Sequence, residues 1–224
     1  MRGDQRPFLL GDKQLNTSLA EAYRKLRWAL LARNGESPVR TILVTSARAG
    51  EGKTTTVANL GIIVGSAGGR TLLVDADFRH PALDGLLTAG AASSRRVGPP
   101  APSARMGLAD VLRNEVPLEE VIVPTSFEGV SLLPAGSNLS KPGDLLGSPR
   151  MPELLHSLRK YADLVLIDSP PCLDYVDAIE LASRADAVLY VVRAGDQDPA
   201  AQRQVEAQLV RAKAHMLGVV FNGA

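Results

Sequence analysis

Ser46-Ala47-Arg48-Ala49-Gly50-Glu51-Gly52-Lys53-Thr54-Thr55 follows one apolar run, Arg40–Thr45, and leads into a helical stretch, Thr54–Ser66. The segment reads as a phosphate-binding loop, with Ala47 where the pattern usually begins with glycine. Small residues at Gly50 and Gly52 let main-chain N–H groups turn inward toward phosphate oxygens. The N-terminal end of the following helix adds positive potential. Lys53 supplies a point charge to the β- and γ-phosphates and is expected to face solvent. The Thr54 hydroxyl is expected to ligate Mg²⁺. Ala49, Gly50, Glu51, Gly52, Lys53, Thr54 and Thr55 are therefore the expected contacts for ATP. A fortuitous glycine turn would not require strand, loop and helix in this order.

Outward from this loop, short apolar runs alternate with helical stretches. The runs are Arg40–Thr45, Thr71–Val74, Val130–Leu133, Leu164–Ile167, Ala187–Val192 and Leu217–Phe221. The helical stretches include Gly107–Asn114, Met151–Tyr161, Ala178–Ala185 and Ala200–Ala214. Such alternation predicts a mainly parallel sheet with helices on both faces, and runs apolar throughout fit strands buried on both sides. The expected fold class is a P-loop NTPase, a three-layer α/β/α sandwich. Ahead of it, Met1–Asn16 reads as an irregular leader, and Ser18–Arg33 as an amphipathic helix with Leu19, Tyr23, Leu26 and Leu30 on one face. Ser18 followed by Glu21 is a capping-box pattern, and Asn34–Ser37 are turn residues. The expected division is 1–35 for leader and helix and 36–224 for the nucleotide-binding part, one domain in all. Thr88–Met106, rich in Ala, Ser, Pro, Gly and Arg, predicts a loop or insertion whose Arg95, Arg96 and Arg105 could steer anions, although a solvated linker explains them as well.

Two further stretches place acids at strand ends. Leu72-Leu73-Val74-Asp75-Ala76-Asp77 ends the second strand and Leu164-Val165-Leu166-Ile167-Asp168 a later one. In a parallel sheet those ends share one edge with the phosphate loop, where ligands bind. Asp75, Asp77 and Asp168 are thus expected to converge on a phosphate-bound metal, although each alone could be a strand-end or capping residue.

The 224 residues carry a formal net charge of +1, with acids and bases interspersed, which gives no support for nucleic-acid binding. Cys172 is the single cysteine, so a reducing cytosol is the simple expectation. Met1–Leu10 does not read as a signal peptide, and no apolar stretch approaches the roughly 20 residues needed to span a bilayer. Any membrane association is expected to come through a partner.

The chain resembles the bacterial tyrosine kinases (BY-kinases) that regulate capsule and exopolysaccharide synthesis. Glu21-Ala22-Tyr23-Arg24-Lys25-Leu26-Arg27 matches the family's E-x2-R-x2-R helix. Ala49-Gly50-Glu51-Gly52-Lys53-Thr54 matches its Walker A loop, with Ala49 for a frequent proline. Asp75-Ala76-Asp77-Phe78-Arg79-His80-Pro81 matches its Walker A′ motif, which ordinary P-loop NTPases lack, and Leu166-Ile167-Asp168-Ser169-Pro170-Pro171 its Walker B. Weaker matches are Gly107–Leu112, Leu133–Gly136 and Gly218–Asn222. The resemblance implies ATP- and Mg²⁺-dependent phosphoryl transfer to tyrosine between subunits of a ring. Asp75 would then accept the hydroxyl proton, with Asp77 and Asp168 on the magnesium side, assignments that spacing alone leaves exchangeable. Arg79 would stabilise the phosphates or brace Asp75. Arg193 and Asn222, at later strand ends, would approach the adenine or have no ligand contact. Glu21, Arg24 and Arg27 would join subunits, where spacing alone favours a local capping box and ion pair. A transmembrane polysaccharide co-polymerase would supply activation at the inner face of the cell membrane, with the kinase itself cytoplasmic and homo-oligomeric.

Some features depart from the family pattern. Lys141-Pro142 stands where Asn-Pro is usual. The sequence shows no tyrosine cluster before Ala224; Tyr23, Tyr161, Tyr175 and Tyr190 are scattered, and helical or strand settings are expected to leave them unmodified. Any transferred phosphate is then expected on a partner or beyond Ala224. Two alternatives share the loop: a deviant-Walker switch ATPase of the cell-division or partition type, and an ATP-binding regulatory subunit without catalysis. The former carries a second lysine early in the loop, where this chain has Arg48.

Overall fold

The structure, a computed structural model, describes residues 9–11, 17–32, 38–91, 105–137, 141–195 and 198–223. Among these, seven strands form one sheet in the order β3-β4-β2-β5-β1-β6-β7. The strands are β1 (Thr41–Ser46), β2 (Thr71–Asp75), β3 (Val123–Pro124), β4 (Val130–Leu133), β5 (Leu164–Asp168), β6 (Ala187–Arg193) and β7 (Met216–Asn222). All neighbouring strands pair in parallel except β3, which runs antiparallel to β4 at one edge. β1, β2 and β5 are buried along their whole length, as continuous apolar runs require between two helical layers.

One helical layer holds α1 (Ser18–Ala32), α2 (Lys53–Gly65) and α3 (Leu83–Ala91). Tyr23, Leu30, Val57, Leu60, Ile63, Leu83 and Leu87 pack there with Ile42, Leu73 and Leu166 of the sheet. Thus α1 shares its core with the P-loop helix. The other layer holds α4 (Leu108–Leu112), α5 (Leu118–Val121), α6 (Pro142–Leu146), α7 (Arg150–Leu158), α8 (Asp177–Ala182) and α9 (Pro199–Arg211). Its core joins Leu112, Leu146, Leu155, Leu181 and Leu209 to Leu43, Val74 and Ile167.

The six expected strands are present, and five structural details differ from expectation. The helix α1 is capped by Thr17, whose hydroxyl accepts from Ala20 N at 3.3 Å, not by Ser18; Glu21 instead pairs with Arg24 at 3.1 Å. Leu19 is 38 % exposed and Ala20 takes its place in the buried stripe. Thr88–Ala91, expected in a loop, completes α3. Helices α3, α5 and α6 and strand β3 have no counterpart among the predicted elements. Tyr175 lies in the connection between β5 and α8, and Tyr161 in the turn after α7, so only Tyr23 and Tyr190 have the expected helical and strand settings. Residues 92–104, with Arg95 and Arg96, lie outside the described residues, as do most of the leader and Asn34–Ser37. Arg105 is described and pairs with Asp84 of α3 at 3.5 Å.

Candidate active site

The chain leaves β1 toward β2 on one side of the sheet, and leaves β5 toward β6 on the other side of β1. The crevice at the C-terminal ends of β1 and β5 is therefore the switch point at which an α/β sheet binds its ligand. The phosphate loop occupies it. Gly50 and Gly52 have φ of +81° and +97°, a region open to glycine without strain. At Gly52 a Cβ would also lie 1.9 Å from Asn222 Nδ2. Glu51 is folded inward, and its Oε2 accepts from Arg48 N at 2.9 Å. Lys53, expected to face solvent, is 6 % exposed: it opens α2 beneath the loop, where a phosphate would complete its surroundings.

Asp168 is a register neighbour of Val44 on β1 and of Asp75 on β2, so sheet pairing sets the two acids side by side next to the loop. Asp168 is 1 % exposed, and neither carboxylate oxygen has a donor at full hydrogen-bond geometry, although the Thr54 hydroxyl and Ser169 N–H lie close to it. Burial pushes its carboxyl up to about 7; the Thr54 hydroxyl and Lys53 ammonium nearby pull it back, and Asp77 pushes it further. Asp75 is equally buried. Its Oδ2 accepts from Ala82 N and Leu83 N, both at 3.0 Å, and so caps α3, while Oδ1 is bare. Burial, then the Asp168 charge, holds its carboxyl well above the ordinary range, against the Leu83 hydrogen bond. Asp77 Oδ1 accepts from Arg79 N at 3.2 Å and His80 N at 3.0 Å, closing the turn after β2.

The three carboxylates are brought together, yet among the described residues no group of three or more His, Cys, Asp or Glu side chains forms a metal cage. The donors fit Mg²⁺, which is held by one or two carboxylates and a hydroxyl while phosphate and water fill the other positions. The bare, buried oxygens of Asp168 are the observation that supports the fit. Thr54, Asp168 and Asp77 are the residues that would hold it.

Arg79 does not brace Asp75. Its Nε donates to Asp177 Oδ2 at 3.1 Å, and its guanidinium lies 4.4 Å from the centre of the Tyr175 ring. Asn222 Nδ2 donates to Glu51 O at 3.0 Å, tying the end of β7 to the loop. Arg193 is exposed at the end of β6 and lines a small cavity of about 90 Å³ with Arg48, Glu51, Tyr190 and Gln202. Arg48 forms an ion pair with Asp198 at 2.9 Å. Asp177 and Asp198 went unread in the sequence. Asp198-Pro199 is a helix-start signal, and Asp198 does cap α9; Asp177, just ahead of the expected Ala178–Ala185 helix with Glu180 three residues on, carries a helix-start signal too but nothing local that points to Arg79.

A family model described as an AAA domain, AAA_31, matches residues 39–202. The chain is 34% identical over 215 residues to the EpsB protein of Ralstonia nicotianae, covering 96% of this chain but 27% of that one. It is 29% identical to tyrosine-protein kinase YwqD of Bacillus subtilis, covering 94% of this chain and 82% of the relative. Tyrosine-protein kinase CpsD of Streptococcus pneumoniae is 30% identical, with coverage of 82% and 76%. Among solved structures, the chimerical protein CapA2B2 superposes with a TM-score of 0.82 at 27% identity, covering 93% of this chain and 86% of that one. The kinase domain of the Escherichia coli tyrosine kinase ETK gives 0.81 at 27%, with coverage of 91% and 75%. The septum site-determining protein MinD of Pyrococcus horikoshii, in complex with Mg-ADP, gives 0.63 at 28%, with coverage of 81% and 69%.

Proposed function

The chain belongs to the bacterial tyrosine kinase family, and on that premise we propose that it transfers the ATP γ-phosphate to tyrosine and thereby regulates capsular or exopolysaccharide synthesis. The observation that carries this reading is the meeting of Asp75, Asp77 and Asp168 at the loop edge, because the Walker A′ acids distinguish a tyrosine-kinase site from an ordinary P-loop. The higher TM-scores of kinase domains than of MinD point the same way.

The roles follow from the site. Main-chain N–H groups of Ala49–Thr55 and the Lys53 ammonium hold the triphosphate. Thr54, Asp168 and Asp77 would hold Mg²⁺, whose charge would offset that developing on the transferred phosphoryl group. Asp75 takes the proton of the incoming hydroxyl; its raised proton affinity suits a general base, and its bare Oδ1 is the acceptor. The transfer forms a bond from tyrosine oxygen to γ-phosphorus and breaks the β,γ-bridging bond, releasing ADP. Glu21, Arg24 and Arg27 serve contacts between copies, and a membrane co-polymerase supplies an activating segment. Among the described residues no helix is long and apolar enough to cross a membrane; in this reading the co-polymerase also holds the kinase at the inner membrane face. Incubation with ATP, Mg²⁺ and a co-polymerase tail, followed by phosphotyrosine mapping, is the test. Steady ATP hydrolysis without phosphotyrosine on any component overturns the kinase reading in favour of a switch ATPase.

A further inference from the structure

Asp177 opens α8 with a side chain that is 1 % exposed, and the roles above make no use of it. Its Oδ2 is bound by Arg79 Nε, and its Oδ1 is buried without a donor. A carboxylate in that position is costly unless a cation faces it, and Arg79 is that cation. Arg79 is also the residue whose main-chain N–H holds Asp77. Its side chain is gripped on its edge by Asp177 and on its face by Tyr175. Two consequences follow. The turn carrying Asp77 is anchored to the start of α8, the helix that follows β5 and Asp168 in the chain. The positive charge of Arg79 is also paired with the buried Asp177 carboxylate, so less of it is left to compete with a divalent cation.

The geometry points to Asp177 as a positioning residue that, through Arg79, keeps the Asp77 carboxylate available to the nucleotide-bound metal. This rests on the reading of Asp77 as a magnesium-side residue. The test uses Mn²⁺ as the probe, with binding in the presence of ADP followed by electron paramagnetic resonance, and ADP binding in EDTA measured separately. Asp177→Asn should weaken Mn²⁺ binding roughly tenfold or more, the scale seen when an outer partner of a metal ligand is lost, with metal-free ADP affinity unchanged. Arg79→Lys, which keeps the charge but loses the flat fork, should weaken it too. The double variant should add little, because the two side chains act as one unit. Unchanged Mn²⁺ affinity in Asp177→Asn, with clear loss in Asp168→Asn, overturns this inference and leaves the metal site standing. An equal loss of metal-free ADP binding overturns it as well, by showing a general structural role. Unchanged Mn²⁺ affinity in Asp168→Asn removes the metal-site reading and the inference together.

Discussion

Asp168 ends β5 with two bare oxygens, and its carboxyl is pushed up to about 7, chiefly by burial. An acid whose proton affinity rises on folding gives stability that is complete below its ordinary value of 3.8 and is lost as pH climbs through about 7. Metal-free protein should therefore lose thermal stability from about pH 4 to about pH 7, measurable by thermal melts in EDTA. Asp168→Asn should flatten that slope, with a residue of it left by Asp75. Mg²⁺ affinity in the presence of nucleotide should climb over the same window in the unmutated protein, since only the carboxylate binds metal. A slope as steep in Asp168→Asn contradicts the assignment. Lys53 is the opposite charge in this setting. Because it is buried, Lys53→Met preserves its volume better than alanine does. Losing a charge-assisted hydrogen bond of about 1.5–3 kcal/mol should weaken ATP binding by roughly ten- to a hundredfold, while melts show the fold intact. Equal affinity in a labelled-ATP titration sinks the phosphate-loop assignment.

Elements show why some of this was legible in the sequence and some was not. The strand, loop and α2 are specified by neighbours in the chain: an apolar run, glycines at φ of +81° and +97°, then Lys53-Thr54 opening a largely apolar stretch. Helix α3 is different. Its stretch contains Gly85 and Gly90, and its cap is the Asp75 carboxylate from the end of β2, so no residue directly ahead of it announces a start. Strand β3 exists only by pairing with β4. Arg79 reads as a phosphate or Asp75 partner from its motif, yet it reaches Asp177, which folding alone brings near. The link from β7 to the phosphate loop is likewise non-local. Gly52→Ala places a methyl against the Asn222 amide at an unfavourable φ, so it should destabilise the protein by about 1–3 kcal/mol and weaken ATP binding. An unchanged melting temperature in that variant would show that the loop shifts freely. On α1, the Glu21–Arg24 pair is exposed and local, worth only about 0.3–0.5 kcal/mol by itself. Arg27 Nε is buried without a partner and Trp28 is 72 % exposed on the same helix, more than an isolated monomer needs. Arg24→Ala with Arg27→Ala should reduce self-association by about 2–5 kcal/mol if both meet acids of a neighbour. Light scattering at matched salt decides it, and wild type that stays monomeric at high concentration with ATP and a partner tail would exclude the ring.

For the whole molecule, the arrangement of tyrosines decides where phosphate can go. Tyr23 and Tyr190 are 7 % and 5 % exposed, and in the proposed transfer between subunits the attacking oxygen would have to approach a phosphorus held at another chain's crevice. Tyr161 is 38 % exposed but precedes β5, at the opposite end of that strand from Asp168. Tyr175 sits in a connection rather than a helix or strand, yet its ring is covered by Arg79. None of the four combines exposure, slack and a free hydroxyl path to a neighbouring site. The acceptor is therefore expected in a flexible segment of a partner or of sequence beyond Ala224. The same picture bears on activation. Without metal and nucleotide, the Asp168 and Asp77 charges raise the proton affinity of Asp75, and Asp77 raises that of Asp168, so the metal-free site resists the ionised arrangement that catalysis needs. A co-polymerase tail that binds the closed arrangement better shifts the population toward it. The chain alone should therefore turn over poorly, and addition of the tail should raise phosphotyrosine on acceptor peptide while Tyr23, Tyr161, Tyr175 and Tyr190 stay unmodified by mass spectrometry. Strong tail-independent modification of those four would refute both the acceptor and the activation arguments. Tail-independent phosphorylation of an added acceptor would refute activation alone.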